Sequence, residues 1–314
     1  MDYEGQICRA PMERSSFMLP VMVGCSYNQC KFCNLFRHLK YRELPMEQIE
    51  AELKRVRELH GKPKKIFLGD GNAFGLKTEK LYEILDLIAY YFPECEGINM
   101  DATVTSILHK SQEELEMLAR KKVKHLYLGI ESGLDDVLKF MKKDHDLAYQ
   151  AIDRLHEAGL IYDAHIMTGV AGKGRGMENA EALAQFLNRT NPAHVVNFSM
   201  FLHKEVPLYQ DIRQGTFVPA DELETIREEY HLIERIAPEK AGANILYDGF
   251  HDFIHVRVRG HLPGDKEKML AKLNGIIQEY EGKEPVYSFV QGECPDLEYC
   301  DDGKAVWDMD RKTS

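Results

Sequence analysis

Apolar runs typical of β-strands alternate along this chain with longer segments whose apolar residues recur at helical spacing. Such an order predicts parallel strands joined by crossover helices. The predicted strands cover residues 17–23, 65–68, 97–100, 124–130, 161–167 and 194–201. The predicted helices cover residues 46–60, 78–92, 148–158, 220–236 and 266–280, and a capping box of Ser111 and Glu114 begins one more.

Six strand–helix units predict an α/β fold: a partial (β/α)6 TIM-like barrel with parallel strands, plus a helical C-terminal extension. We place the core at residues 1–215, with a cysteine loop at 25–33, and the helical extension and tail at 216–314. In folds of this kind the active residues gather at the carboxyl ends of the strands. Polar and glycine-bearing segments at those ends are therefore the candidate functional residues.

Three cysteines follow the first predicted strand within nine residues: Cys25, Cys30 and Cys33. Thiolates are soft ligands that suit zinc or an iron–sulfur cluster, and a short loop lets three of them converge on one centre. Structural zinc sites normally have four protein ligands. Three ligands with one open coordination position therefore favour a reactive centre over a structural one.

Other interpretations of the cysteines remain open. A structural zinc site would need a fourth ligand, such as His38, Cys294 or Cys300. Cys294 and Cys300 are also candidates for part of a second centre, although separate cysteines are the simpler interpretation. A disulfide framework is disfavoured, because the chain has seven cysteines, an odd number, and no secretory signal sequence is recognisable.

Composition and charge narrow the class of protein. The chain has 314 residues, 44% of them hydrophobic, which is enough to bury a substantial core. Its formal charge of −11 argues against a surface that grips nucleic acid nonspecifically. No apolar run approaches the roughly 20 residues that span a bilayer, so no membrane association is expected. We expect a cytoplasmic protein, where thiols stay reduced.

The cysteine loop, with an aromatic residue before its last cysteine, resembles the cluster motif of the radical S-adenosylmethionine (radical SAM) superfamily. The first gap here holds four residues and the usual motif has three, so the chain carries a CxxxxCxxC variant. The resemblance extends to proteins labelled coproporphyrinogen III oxidase-like or of unassigned role. It implies that Cys25, Cys30 and Cys33 hold a 4Fe–4S cluster whose fourth iron binds SAM, and that Phe32 packs near the adenine.

Further segments at strand ends match this family's SAM-binding motifs in position. The turn after the second predicted strand stands where the family has a Gly-Gly-Glu turn beside the SAM amino group, and Asp70 is the candidate for that contact. An ordinary turn is the alternative for the segments with Asp70 and Gly169, a helix cap for Glu131, and a structural role for Asn197. The cofactor-binding candidates that the resemblance implies, besides Phe32, are Gly69, Asp70, Gly71, Asn72, Glu131, Ser132, Gly169 and Asn197.

The resemblance implies an oxygen-sensitive enzyme in which the reduced cluster cleaves SAM to a 5′-deoxyadenosyl radical. That radical would abstract hydrogen from a small or medium organic substrate, with electrons supplied by a reductant such as flavodoxin or ferredoxin. A coproporphyrinogen dehydrogenase-like oxidoreductase is the alternative within this class. A metal-binding or electron-transfer protein that only uses the cysteine loop is the alternative outside it.

Overall fold

The computed structural model describes Glu4, residues 8–143 and residues 147–290. The strands in this part of the chain are β1 (Phe17–Pro20), β2 (Met22–Val23), β3 (Arg42–Glu43), β4 (Lys65–Gly69), β5 (Gly97–Ala102), β6 (Val123–Glu131), β7 (Ile161–Thr168), β8 (His194–Ser199), β9 (Ile245–His251) and β10 (Val256–Leu262). The α-helices in it are α1 (Met46–Glu58), α2 (Thr78–Tyr91), α3 (Val104–Leu108), α4 (Gln112–Arg120), α5 (Asp135–Phe140), α6 (Ala148–Glu157), α7 (Gly176–Thr190), α8 (Pro207–Arg213), α9 (Glu222–Arg235) and α10 (Lys266–Tyr280).

The chain falls into two compact units. Within the described residues, the first contains Glu4 and residues 8–29, 33–129 and 147–164, and the second contains residues 30–32, 130–143 and 165–290. Strands β6 and β7 begin in the first unit and end in the second. The predicted boundary at residue 215 stays a prediction.

The sheet of the first unit places β1, β4, β5 and β6 side by side in that order. Each neighbouring pair is parallel. Strand β4 is a short apolar run whose Ile66, Phe67 and Leu68 are fully buried. Such runs are typical of parallel strands covered on both faces by helices. Helix α1 buries one apolar stripe, which includes Ile49 and Leu53.

The single strand predicted at 17–23 is wrong, because the chain changes its pairing partner at Val21. The N–H of Val21 donates to the carbonyl of Gly69 at 2.6 Å, and its carbonyl accepts from the N–H of Leu44 at 3.0 Å. Beyond this point β2 leaves the large sheet and pairs antiparallel with β3, Val23 lying opposite Arg42. The two ends of the cysteine loop are therefore held next to each other by the pairing of β2 with β3.

The second unit adds strands to the region predicted as a helical extension. The predicted helices are confirmed as α9 and α10, but β9 lies between them and pairs parallel with β8, while β10 pairs antiparallel with β9. Strand β9 carries a buried aspartate, Asp248, whose carboxylate accepts hydrogen bonds of 2.7 and 2.6 Å from Arg257 of β10. This pairing explains how a charged residue fits a buried strand.

Among the strand pairs described above, only β2–β3 and β9–β10 are antiparallel. The prediction of an α/β fold with mostly parallel strands is therefore confirmed. Within the described residues, no helix combines the length and the apolar character that crossing a lipid bilayer requires.

Candidate cofactor site

The cysteine loop contains no helix or strand and is held by hydrogen bonds of its own. The Asn28 side chain donates to the carbonyl of Phe36 at 3.2 Å, and Arg37 Nε donates to the carbonyl of Cys33 at 2.8 Å. Cys25, Cys30 and Cys33 are all partly exposed, and none of them is in a disulfide. Three thiols on a loop held by such hydrogen bonds are suited to ligating a metal centre.

The middle of the loop, residues 30–32, is anchored within the second unit by Lys31. The N–H of Lys31 donates to the carbonyl of Met141 at 3.1 Å, and its carbonyl accepts from the N–H of Leu208 at 3.1 Å. The Lys31 ammonium lies 3.0 Å from the carboxylate of Asp211 and 3.8 Å from the centre of the Phe140 ring. Both backbone groups of Lys31 are hydrogen-bonded, so the segment that carries the neighbouring Cys30 is held in place.

Phe32 packs against an apolar cluster of the second unit that includes Val137, Met141 and Phe217. Its ring is only partly buried there. The position is compatible with an ordinary core contact as well as with the predicted contact to adenine.

The turn after β4 lies directly against the first cysteine. A Cβ atom added to Gly71 would stand 2.6 Å from Cys25 Cβ and 2.7 Å from Cys25 Cα, closer than real atoms approach. Gly71 also has a φ of +27°, a conformation that side chains disfavour. Both observations require glycine at this position, so the predicted SAM-binding turn and the cysteine loop form one local structure.

Asp70 is buried in the same turn, with 6% of its surface exposed. Burial raises the pKa of its carboxyl to about 6, although a hydrogen bond from the backbone of Gly24 opposes the shift. Above that pH the buried carboxylate is negatively charged beside the first cysteine. It can therefore accept a hydrogen bond from an ammonium group.

Asn72 closes the turn with an unsatisfied polar atom. Its Nδ2 donates to Ser26 Oγ at 3.1 Å, next to Cys25. Its Oδ1 is buried and has no hydrogen-bond partner among the described residues. Buried polar atoms are normally paired, so this oxygen is a candidate acceptor for a bound group.

Glu131 ends β6 in the second unit and has a φ of +61°, which is uncommon for a residue with a side chain. Its side chain is about one-tenth exposed, and its Oε1 lies 3.2 Å from Lys143 Nζ. The pair gives this nearly buried carboxylate a cationic partner. Unusual backbone conformations of this kind cluster at functional sites.

Ser132 and Gly169 are tied together through Asn179 of α7 and Glu228 of α9. Ser132 Oγ donates to Asn179 Oδ1 at 2.6 Å, and Asn179 Nδ2 donates to Glu228 Oε1 at 2.6 Å. The N–H of Gly169 donates to the other oxygen of Glu228 at 2.9 Å. Ser132 therefore uses its hydroxyl proton inside the protein, which favours a positioning role over direct cofactor contact.

Asn197 uses both ends of its amide in a similar way. Its Oδ1 accepts from the N–H of Thr168 at 3.1 Å, and its Nδ2 donates to Glu229 at 3.0 Å. The residue is fully buried. These bonds favour a structural role, holding the backbone just before Gly169.

Sequence reasoning missed the buried acidic cluster that supports these residues. Glu222, Glu228 and Glu229 of α9 are all buried, together with His251 of β9. Burial lowers the pKa of His251, but hydrogen bonds to Glu222 and Glu229 outweigh it and raise the pKa to about 10. Charged side chains on a helix usually face solvent, so the pattern of α9 gave no signal for this cluster.

Glu228 predicts a pH dependence of stability. Burial raises the pKa of this carboxyl from 4.5 to about 8. A raised carboxyl pKa means that its stabilising contribution is fully present below pH 4.5 and is lost as the pH rises through about 8. We expect the Tm difference between wild type and Glu228→Gln to shrink as the pH rises across this range. Glu234→Gln, an exposed change on the same helix, should show the same dependence of Tm on pH as wild type. The same dependence in all three proteins would refute the raised pKa of Glu228.

A protein-family model described as the radical SAM superfamily matches residues 19–187. The match covers more than half of the 314 residues, and the chain therefore belongs to the radical SAM superfamily, as the resemblance predicted. Members of this superfamily bind a 4Fe–4S cluster and SAM.

The chain is similar to the hopanoid C-2 methylase of Rhodopseudomonas palustris (strain TIE-1), with 26% identity over 64% of this chain and 39% of that protein. It is also similar to the tRNA-2-methylthio-N(6)-dimethylallyladenosine synthase of Acinetobacter baylyi, with 29% identity over 69% of this chain and 44% of that protein. The chain thus spans less than half the length of these curated relatives.

Among solved structures, the FeFe-hydrogenase maturase HydG from Carboxydothermus hydrogenoformans superposes with a TM-score of 0.52. The sequence identity is 16%, and the superposition covers 82% of this chain and 57% of that one. At this identity the likeness concerns the fold alone. It agrees with the predicted partial TIM-like barrel.

The residues of the loop and the turn fit a cluster and SAM. Three thiols outside disulfides stand on one short loop, and Gly71 gives the backbone close approach to Cys25. Asp70 and Asn72 add a buried carboxylate and an unsatisfied oxygen at the same turn. The thiols are soft donors of the kind that an iron–sulfur cluster requires. The polar acceptors beside them suit the amino group of SAM.

Proposed function

We propose that this protein is a radical SAM enzyme in which Cys25, Cys30 and Cys33 ligate the 4Fe–4S cluster. When bound, the cluster and SAM supply a reductive cleavage that gives a 5′-deoxyadenosyl radical, which abstracts hydrogen from a small or medium organic substrate. The observation that carries the proposal is the contact of Gly71 with Cys25. That contact brings the turn with Asp70 and Asn72 to the first cysteine.

Asp70 and Asn72 are the residues of this turn that would orient SAM. The Asp70 carboxylate is fixed by the backbone of Gly24 and is negatively charged above a pH of about 6, so it would accept from the SAM ammonium. Asn72 Oδ1 would accept a second hydrogen bond nearby. Gly69 and Gly71 keep the backbone of the turn free of side chains.

Glu131 would supply the polar contact to SAM that the family resemblance implies, and Lys143 would hold its carboxylate in one orientation. Ser132, Gly169 and Asn197 would act behind it, because their hydrogen bonds run to Asn179, Glu228, Thr168 and Glu229. Phe32 would cover the adenine with the exposed part of its ring. Its buried part contacts the apolar cluster.

A small or medium organic substrate is favoured over nucleic acid. Two relatives are named for a product in tRNA. This chain, however, has a formal charge of −11, which opposes binding to a phosphate backbone. We further propose a reductant such as flavodoxin or ferredoxin and a cytoplasmic location, where the thiols stay reduced.

The test is anaerobic reconstitution with iron and sulfide, followed by reduction in the presence of SAM. We expect 5′-deoxyadenosine and methionine to form in equal amounts. A chain that binds iron but yields no 5′-deoxyadenosine would be a metal-binding or electron-transfer protein instead. Oxidation of coproporphyrinogen III by the reconstituted protein would favour the alternative within the class.

Glu131→Gln should weaken SAM binding without loss of iron. The substitution removes the charge that orders the contact, and a charge-assisted hydrogen bond is worth about tenfold in affinity. Equilibrium dialysis with SAM would measure the effect on the reconstituted protein. Glu181→Gln, an exposed change in the same unit, should bind SAM like wild type. Equal affinities for Glu131→Gln and wild type would exclude Glu131 from the site.

A further inference from the structure

The first unit contains a cavity of about 460 Å³ whose lining includes Asn72 of the turn after β4. Ser26, Tyr27 and Asn72 form part of its wall. The rest comes from the segment that leads into α2, from the first turn of α2, and from α3 with the residues on either side of it. Its charged side chains are Lys77, Lys110 and Glu79, so the wall carries a net positive charge. Most of its remaining side chains are polar. The cavity is therefore suited to a polar ligand with negative charge.

Lys110 is a buried cation that lines this cavity, with 6% of its surface exposed. Its ammonium donates to the carbonyl of Leu76 at 2.9 Å and, at a long 3.4 Å, to Thr78 Oγ1. It also lies 5.0 Å from the centre of the Phe74 ring. No carboxylate among the described residues comes within ion-pair distance of it. A buried charge is normally paired, so Lys110 points to an anionic ligand.

Carboxylates act on Lys110 only from farther away. Burial lowers the pKa of Lys110, and the opposing effect of Glu114 and Glu79 is smaller. Thr78 already donates to Glu114, so that carboxylate is engaged at the start of α2. An anion bound in the cavity would favour the charged form of Lys110, which burial disfavours.

The start of α2 faces the same ligand. Helix α2 has 14 residues, and its N-cap residue, Lys77, makes no side-chain capping hydrogen bond. The N–H groups of its first turn and the helix dipole favour a negative group there. Asn72, which is more than nine-tenths buried, also lines the cavity.

We infer that this cavity binds an oxyanion, a phosphate or a carboxylate, on the substrate of the enzyme. That the ligand is a substrate rests on the proposed function. That it is an anion rests on Lys110, Lys77 and the start of α2. Phosphate and carboxylate share the chemistry that this wall recognises. The carboxylate of SAM is the other possible source, and the test separates the two.

The full chain, reconstituted anaerobically, would be titrated with inorganic phosphate and, separately, with acetate by calorimetry. We expect saturable binding of at least one of them at a single site. Lys110→Met keeps the length of the side chain and removes its charge, and should weaken binding about tenfold or more. Glu79→Gln should strengthen binding, because it removes the only carboxylate of the wall.

Matched variants and SAM complete the experiment. Lys54→Met, an exposed lysine on α1, should bind like wild type. Lys77 is exposed but lines the cavity. If Lys110→Met does not fold, Lys77→Met serves as the second test of anion binding. Saturating SAM should leave anion binding unchanged. Displacement by SAM would assign the cavity to SAM, and no saturable binding, or wild-type affinity in both Lys77→Met and Lys110→Met, would overturn the inference. Anion binding in a protein that forms no 5′-deoxyadenosine would contradict the proposed function alone.

Discussion

Replacing Cys25, Cys30 or Cys33 with Ala should remove the iron–sulfur cluster and with it all cleavage of SAM. Each change leaves two thiolates where three are proposed. Replacing a residue that only hydrogen-bonds to a metal ligand already lowers metal affinity by about 10- to 100-fold. We therefore expect iron affinity to fall by more than about 100-fold in each single variant. Iron and sulfide per chain, measured after anaerobic reconstitution and gel filtration, give the result directly.

Cys95→Ala is the matched control for these three variants. Cys95 is buried in the first unit, and its sulfur lies 3.5 Å from the carbonyl of Gly97 and 3.7 Å from that of Lys64. Its replacement should leave the iron content at the wild-type level. Iron retained by any one of the three loop variants would remove that cysteine from the proposed set of ligands.

Gly71→Ala should disrupt the site although it adds a single methyl group. The new Cβ would lie 2.6 Å from Cys25 Cβ and 2.8 Å from the carbonyl of Gly24, so the cysteine loop would have to move. Overpacking costs about 1 to 3 kcal/mol. The left-handed backbone adds about 1 to 2 kcal/mol. We expect a lower free energy of unfolding and a loss of cluster occupancy.

Gly159→Ala separates the backbone effect from the contact. Gly159 has a φ of +76°, and an added Cβ there would meet nothing within 4 Å. This variant should lose only about 1 to 2 kcal/mol of stability and keep its iron. Chemical denaturation of both variants, together with iron analysis, tests the difference. Wild-type iron occupancy in Gly71→Ala would show that the turn does not support the cysteine loop.

Much of the fold follows from apolar periodicity and local capping. The prediction at 78–92 matches α2 within one residue, and the capping box of Ser111 and Glu114 is present at α4. Such elements depend on neighbours in sequence, and their patterns are strong. The prediction at 17–23 failed because pairing partners change at Val21, which no local pattern records.

Strand β9 shows why long-range contacts escape sequence reasoning. Its Asp248 and Gly249 interrupt the apolar pattern expected of a strand. The structure explains both residues, because Arg257 pairs with Asp248 and the Glu229 carboxylate occupies the space that a side chain at Gly249 would need. Both partners are distant in sequence or lie on another element, so their effect appears only in the folded chain.

The candidate site likewise contains residues that local sequence identifies and residues whose roles depend on distant contacts. The positions of Cys25, Asp70 and Gly71 could be predicted, because motif spacing and strand ends determine them. The hydrogen bonds of Ser132 and Asn197 could not, because their partners Asn179 and Glu229 lie on helices far along the chain. A polar residue at a strand end looks the same in sequence whether it contacts a ligand or the protein.

The most direct test of the central claim is the electron paramagnetic resonance spectrum of the reduced, reconstituted protein before and after addition of SAM. A cluster with three cysteine ligands has one iron that SAM can reach, so its signal should change when SAM binds. We predict such a change in wild type and no cluster signal in Cys30→Ala. A cluster signal that stays the same at saturating SAM would contradict the account.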